Sequence, residues 1–206
     1  MKTYLALIAI LSWFALTVQL YLNLTSGVAP VLEIIIRYFS FFTLISNLLV
    51  AVWSTVLIFL PAGSKHFFSR PQTQTAITLY ILIVGIIYNI VLRSLWQPKG
   101  MQLVVDELLH SVIPILFFIY WFLLVPKQQL QWSSFWSWLI FPLVYLAFIL
   151  ARGSFSGFYP YPFIQVNKLG FSRVLFNAAG ITVIFLVISL ILIGIAKWLI
   201  KSKTAR

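Results

Sequence analysis

Apolar residues run through the chain in long stretches, and the polar segments between them are short and rich in helix breakers. Six stretches are long enough to cross a bilayer, since a spanning helix needs roughly 20 mainly apolar residues. Their predicted limits are 4–23, 38–60, 75–95, 105–125, 132–151 and 174–198. Helical periodicity adds little here, because a helix facing lipid is apolar nearly all round. The connections carry Gly27 and Pro30, the segment from Pro61 to Pro71, Pro98 and Gly100, and Pro126. The longest, 152–173, holds Gly153, Gly157, Pro160 and Pro162. No segment reads as a soluble domain and no internal repeat is visible. The pattern predicts an all-α, polytopic membrane protein: one bundle of six transmembrane helices forming a single domain over 1–206. Met1-Lys2 before an apolar run and a small-x-small site at Gly27-Val28-Ala29 resemble a signal peptide. The length of the run favours a retained helix.

Composition supports this picture and removes other classes. Of 206 residues, 62% are hydrophobic and 8% charged, whereas soluble domains carry about a quarter charged residues. Mean hydropathy is +1.05. The 14 Lys and Arg outnumber 3 acids, but they sit singly at the ends of apolar runs, as membrane anchors do, and no clustered basic face points to nucleic acid. The absence of Cys excludes disulfides, zinc ribbons and thiol nucleophiles. Two His and three acids are too few for a dedicated metal centre, so neither a metal nor a cofactor is expected. No phosphate loop, dinucleotide fingerprint or nucleophile elbow is present.

Six spans place both termini on one side. That side carries eight Lys and Arg (Lys2, Lys65, Arg70, Lys127, Lys197, Lys201, Lys203, Arg206). The other carries six (Arg37, Arg93, Lys99, Arg152, Lys168, Arg173). The bias predicts cytoplasmic termini. Trp132, Trp136, Trp138 and Trp198 then mark the cytoplasmic interface, and Trp96, Tyr159 and Tyr161 the outer one.

Polar side chains at membrane depth are costly, so their placement carries the functional signal. Thr43 and Asn47 lie early in the second helix, with Ser46 between them. Asn89 and Arg93 lie late in the third. Asp106, Glu107 and His110 open the fourth, Arg152 ends the fifth, and Arg173 and Asn177 open the sixth. With alternating directions all fall in the non-cytoplasmic half. Glu33, Arg37, Ser40, Thr43 and Asn47 share roughly a 120° arc, provided the helix already runs through 33–37. Thr43 and His110 are each expected roughly 6–9 Å below their helix starts. Plainer roles remain open for each residue. A membrane Thr commonly bonds the carbonyl one turn back, Glu107 suits a helix N-terminus, and the Arg side chains can snorkel. His66 reads as solvated.

The segments Phe41-Phe42-Thr43-Leu44-Ile45-Ser46-Asn47-Leu48-Leu49-Val50, Asp106-Glu107-Leu108-Leu109-His110-Ser111-Val112-Ile113-Pro114 and Tyr159-Pro160-Tyr161-Pro162-Phe163 with Val166-Asn167-Lys168 resemble the bacterial Pr-six-Pr family of six-helix membrane proteins. More distantly they are similar to the androgen-induced and androgen-dependent membrane proteins of animals, threonine hydrolases of fatty acid esters of hydroxy fatty acids. The resemblance implies a Thr43 nucleophile, a His110 base, a lipid-ester substrate, membrane lipids as surroundings, and a bacterial inner-membrane location. It covers nearly the whole chain on the bacterial side, and two short segments on the animal side.

The chemistry is consistent with that implication. A Thr hydroxyl needs a base to take its proton, and His is the side chain that titrates near neutrality. Asp106, one turn before His110, is placed to orient its ring. Ser46, Asn47, Asn89 and Asn177 are candidate oxyanion donors or orienting groups. Arg37, Arg93, Arg173, Tyr159 and Tyr161 form a candidate polar rim. Two alternatives stay open: a non-catalytic protein that binds a lipid or partner, and a small-solute transporter. The short chain and the bland cytoplasmic half weigh against the transporter.

Overall fold

The computed structural model describes residues 1–61 and 63–204, which form helices joined by short turns, with no strand among them. Arg206, counted above in the basic tail, lies outside the described residues. Six helices have the length and apolarity to cross a membrane: Lys2–Thr25, Phe42–Phe59, Pro71–Leu92, Met101–Leu124, Ser134–Ser156 and Phe171–Ser202. The chain is a multi-pass membrane protein. The chain divides into two compact units, Met1–Pro126 and Lys127–Arg206.

The first unit is built on α1 (Lys2–Thr25), which packs against α2 (Val31–Tyr38), α3 (Phe42–Phe59), α5 (Met101–Glu107) and α6 (Ile113–Leu124). The remaining helix, α4 (Pro71–Ile87), packs on α3 and α6. Lipid tails are as apolar as Leu, so helices associate through close packing and interhelical hydrogen bonds rather than through burial from water. Both are present. Tyr4 Oη donates to Leu116 O at 2.7 Å, Tyr38 Oη to Leu16 O at 2.8 Å, and Trp121 Nε1 to Thr75 Oγ1 at 2.8 Å. The Trp53 ring meets Phe117 and Tyr120 edge-on at 4.7 and 4.8 Å. The exposed His66 caps a short 3₁₀ turn, Phe67–Ser69, by accepting the Phe68 N–H at Nδ1, 3.2 Å.

Two boundaries differ from expectation in ways that matter for function. The second span, expected over 38–60, begins at Phe42, and the helix through 33–37 does not run on into it. α2 ends at Tyr38, and Phe41 adopts an extended backbone (φ −85°, ψ 125°) before α3 begins. Ser40 turns its hydroxyl back onto Ile36 O at 2.6 Å, one of the local bonds by which Ser competes with a helix ladder. The break dissolves the single arc from Glu33 to Asn47 and leaves Thr43 as the second residue of α3. The fourth span begins at Met101 instead of 105, so His110 lies roughly 13 Å along its helix, deeper than expected.

The second unit pairs α7 (Ser134–Ser156) with α9 (Phe171–Thr204), joined through a 3₁₀ turn, Pro162–Ile164, and a short α8 (Val166–Leu169). α7 begins two residues after the expected 132 and runs past 151, and α9 extends beyond both 174 and 198. Gly157 ends α7 in the left-handed region (φ +71°), where glycine carries no Cβ penalty. Tyr159, expected at the interface, is buried with Ile149, Ile164 and Val174. Its ring occupies the space that a Cβ on Gly153 would need. Trp138 is also buried, while Trp132 and Trp136 are exposed.

Gly153→Ala is expected to evict the Tyr159 ring and destabilise the unit by about 1–3 kcal/mol, the usual range for overpacking. The check is a lower melting temperature in detergent together with faster proteolysis within 157–170. Unchanged melting would contradict the packing described.

Candidate functional site

Pro114 sets the local geometry. It has no N–H, and its ring cannot sit beneath a regular turn. The helix widens over Leu108–Val112 into a π turn, in which the Ile113 N–H bonds Leu108 O. Residue 114 would otherwise donate to His110 O in α register or to Leu109 O in π register. Asparagines from the two flanking helices serve these carbonyls instead. Asn47 Nδ2 donates to Leu109 O at 3.2 Å and to Thr43 O at 2.9 Å. Asn89 Nδ2 donates to His110 O at 3.2 Å and to Gly85 O at 2.8 Å. Gly85 permits this approach, since a Cβ there would stand 3.0 Å from His110 O and 3.3 Å from Pro114 Cβ. Asn89 itself lies in a second π turn, Tyr88–Leu92, where the Arg93 N–H bonds Tyr88 O at 2.8 Å. Two widened turns therefore face each other, and such turns are frequent at functional sites.

The π turn presents the His110 ring in a defined state. Nδ1 lies 2.9 Å from Asp106 O and 3.4 Å from Asp106 Oδ1. A carbonyl oxygen only accepts, so Nδ1 carries a proton, and in the neutral ring Nε2 is the nitrogen that holds the lone pair. The ring stacks on Tyr88 at 3.9 Å, with planes 17° apart. The Tyr88 hydroxyl donates to Asp106 Oδ2, so one carboxylate serves both rings.

A second cluster surrounds it. Arg93 makes a two-pronged pair with Glu107 (2.6 and 2.9 Å), donates from Nε to Asn89 Oδ1 at 2.8 Å, and lies 5.3 Å above the Tyr88 ring. Ser111 Oγ donates to Glu107 Oε2 at 2.8 Å. The hydrogen bond to Glu107 raises the Arg93 pKa above its ordinary value, so the guanidinium stays charged.

Thr43 is buried at the start of α3, and Asn47 ties its carbonyl to the residue before His110. Ser46 and Asn47 follow on the same helix face. Thus Thr43, Ser46, Asn47, Asn89, Arg93, Asp106 and His110 belong to one contiguous neighbourhood of the first unit. Arg37 pairs with Glu33 at 2.8 Å on α2. Arg173, Asn177, Tyr159 and Tyr161 belong to the second unit. Asn177 Nδ2 donates to Phe163 O at 2.9 Å, Arg173 lies 5.5 Å from the Phe176 ring centre, and Tyr161 stacks on Phe163 at 5.2 Å.

Several roles change with this geometry. Both amide hydrogens of Asn47 and of Asn89 bond backbone carbonyls, so these residues hold the π turn and have no hydrogen left for an oxyanion. Asp106 meets Nδ1 of His110 through both its carbonyl and its carboxylate, and that carboxylate is shared with Tyr88 rather than with Arg93. Glu107 bonds Arg93 and Ser111 in the second turn of its helix. Tyr88 was missed by the sequence reading, because an aromatic inside an apolar run gives no polar signal. The pairing of Pro114 with Gly85 was missed as well. Among the described residues no group of three His, Cys, Asp or Glu is placed to hold a metal ion. Comparison with family models, with curated proteins and with solved structures finds no match.

Asn89→Leu is expected to leave His110 O unbonded at membrane depth and to destabilise by about 1–3 kcal/mol. Pro114→Ala restores an N–H that can serve the same carbonyl. The double variant should therefore lose clearly less stability than the sum of the two single losses, which a double-mutant cycle on thermal or denaturant unfolding reads directly. Strict additivity would contradict the shared-carbonyl account.

Proposed function

We propose that the chain is an intramembrane hydrolase of fatty-acyl esters, with Thr43 as nucleophile and His110 as base. One observation carries the reading: Nδ1 of His110 is fixed on Asp106, which leaves the Nε2 lone pair for a proton, next to the helix start that bears a buried Thr. In the proposed step Thr43 Oγ bonds the ester carbonyl carbon while its proton moves to Nε2. The tetrahedral adduct then expels the alcohol, which takes that proton, and acyl-Thr43 remains. The Asp106 carboxylate, 3.4 Å from Nδ1, stabilises the imidazolium that forms in between. The positive end of the α3 dipole favours the developing oxyanion. The resemblance to the animal threonine hydrolases supports the same pair, and the bacterial resemblance supports an inner-membrane location with cytoplasmic termini and the site toward the outer leaflet. The carbonyl bonds of Asn47 and Asn89 equally suit a second reading, a non-catalytic lipid- or partner-binding protein in which Thr43 and His110 only pack.

Labelling with a long-chain fluorophosphonate separates the two. Under the hydrolase reading Thr43→Ala abolishes labelling and His110→Ala lowers its rate nearly as far, on the order of 10³-fold, because nucleophile and base act as a unit. Tyr88→Phe removes one bond to Asp106 and is expected to cost about tenfold. The packing reading predicts roughly 0.6 kcal/mol of lost stability per interhelical bond and no selective loss of labelling. A label on another residue that survives Thr43→Ala at full strength would sink the hydrolase.

A further inference from the structure

We infer that Ser46 and Asn47 hold the water molecule that cleaves acyl-Thr43, which makes the final acyl acceptor water rather than a second alcohol. The inference rests on the threonine-hydrolase reading and supplies its second half. Both side chains are almost wholly buried, with Ser46 1% and Asn47 0% exposed. Yet Ser46 Oγ and Asn47 Oδ1 meet no hydrogen-bond partner among the described residues. The two atoms are not loosely placed. Asn47 is anchored through Nδ2 on Thr43 O and Leu109 O, which fixes where its Oδ1 lies. Ser46 and Asn47 follow Thr43 by three and four positions, so the three side chains share one helix face with Cβ atoms roughly 5–6 Å apart.

The donor and acceptor types select the guest. An amide oxygen only accepts, so whatever meets Asn47 Oδ1 must donate. An ester carbonyl cannot do that, and neither can an acyl chain. A water molecule can satisfy both atoms: one O–H goes to Asn47 Oδ1, and one lone pair accepts the Ser46 O–H. Buried water typically makes about three such bonds to polar groups that would otherwise go unmet. Its second O–H is then available to His110 Nε2, and its second lone pair to the acyl carbon. In the step, the water oxygen bonds the acyl carbon and the water proton moves to Nε2. The adduct collapses by breaking the bond from carbon to Thr43 Oγ, and Thr43 Oγ takes the proton back from His110. The fatty acid leaves, the free enzyme is restored, and no oxidant or reductant is needed.

The test is stopped-flow hydrolysis of 4-nitrophenyl decanoate by the full chain in lipid nanodiscs, with mass spectrometry of quenched protein. Ser46→Ala should keep the first-turnover burst of nitrophenol and slow steady-state turnover by about tenfold, the loss of one hydrogen bond to the reacting water. Acyl-Thr43 should accumulate, hydroxylamine should restore turnover by replacing water, and Ser46→Thr, which keeps a hydroxyl, should behave like the parent. A normal burst with unchanged turnover in Ser46→Ala overturns the water site while leaving the Thr43 nucleophile standing. So does an equal loss of burst and turnover, which marks a role in the first step. No acyl-Thr43 in parent or variant overturns the hydrolase reading and this inference together.

Discussion

Residue 114 has no N–H to give, and at membrane depth no water replaces it. That constraint organises the first unit. The Ile113 N–H moves to Leu108 O, the turn widens, and the carbonyls of Leu109 and His110 look outward for donors. Asn47 arrives from α3 and Asn89 from the end of the third span, each also holding the carbonyl one turn back on its own helix. A polar defect in one helix thus becomes the fastening between three. Gly85 is small for the same reason, since anything larger would collide with His110 O and Pro114.

The same fastening positions the His110 ring. Because the π turn fixes the His110 backbone, its ring lies within reach of Asp106 O and flat against Tyr88. The ring tautomer follows from the acceptor it meets rather than from any net charge. Thr43 reaches the neighbourhood by a separate device, the break at Ser40 and Phe41 that starts α3 afresh. Both devices are local departures from ideal helix, as is the π turn over Tyr88–Leu92 that carries Asn89. Strained or irregular backbone at a polar cluster is where function is commonly found.

The six spans were legible because hydrophobic length alone specifies them. That Thr43, Asn47, Asn89, Asp106 and His110 gather at one end of their spans was legible because polar groups are rare in membrane helices and successive helices alternate in direction. What those groups touch was not legible. The apparent arc from Glu33 to Asn47 assumed an unbroken helix, and the break depends on a Ser that bonds its own backbone. Asn47 and Asn89 read as donors to a substrate, whereas the carbonyls they serve become available only once Pro114 has widened a different helix. Tyr88 was silent, because its hydroxyl acquires meaning only opposite Asp106. The tyrosines of the second unit looked interfacial, and Tyr159 instead fills the notch at Gly153.

The most direct measurement is the nitrogen-15 NMR spectrum of ring-labelled histidine in the protein held in lipid bilayers. The chain has two histidines, so a His66→Gln background leaves His110 alone in the spectrum. A neutral ring with a proton-bearing Nδ1 and an unprotonated, pyridine-like Nε2 is expected, and Pro114→Ala should blur or shift both signals. A His110 that carries its proton on Nε2 would leave no lone pair for Thr43 and would contradict the site.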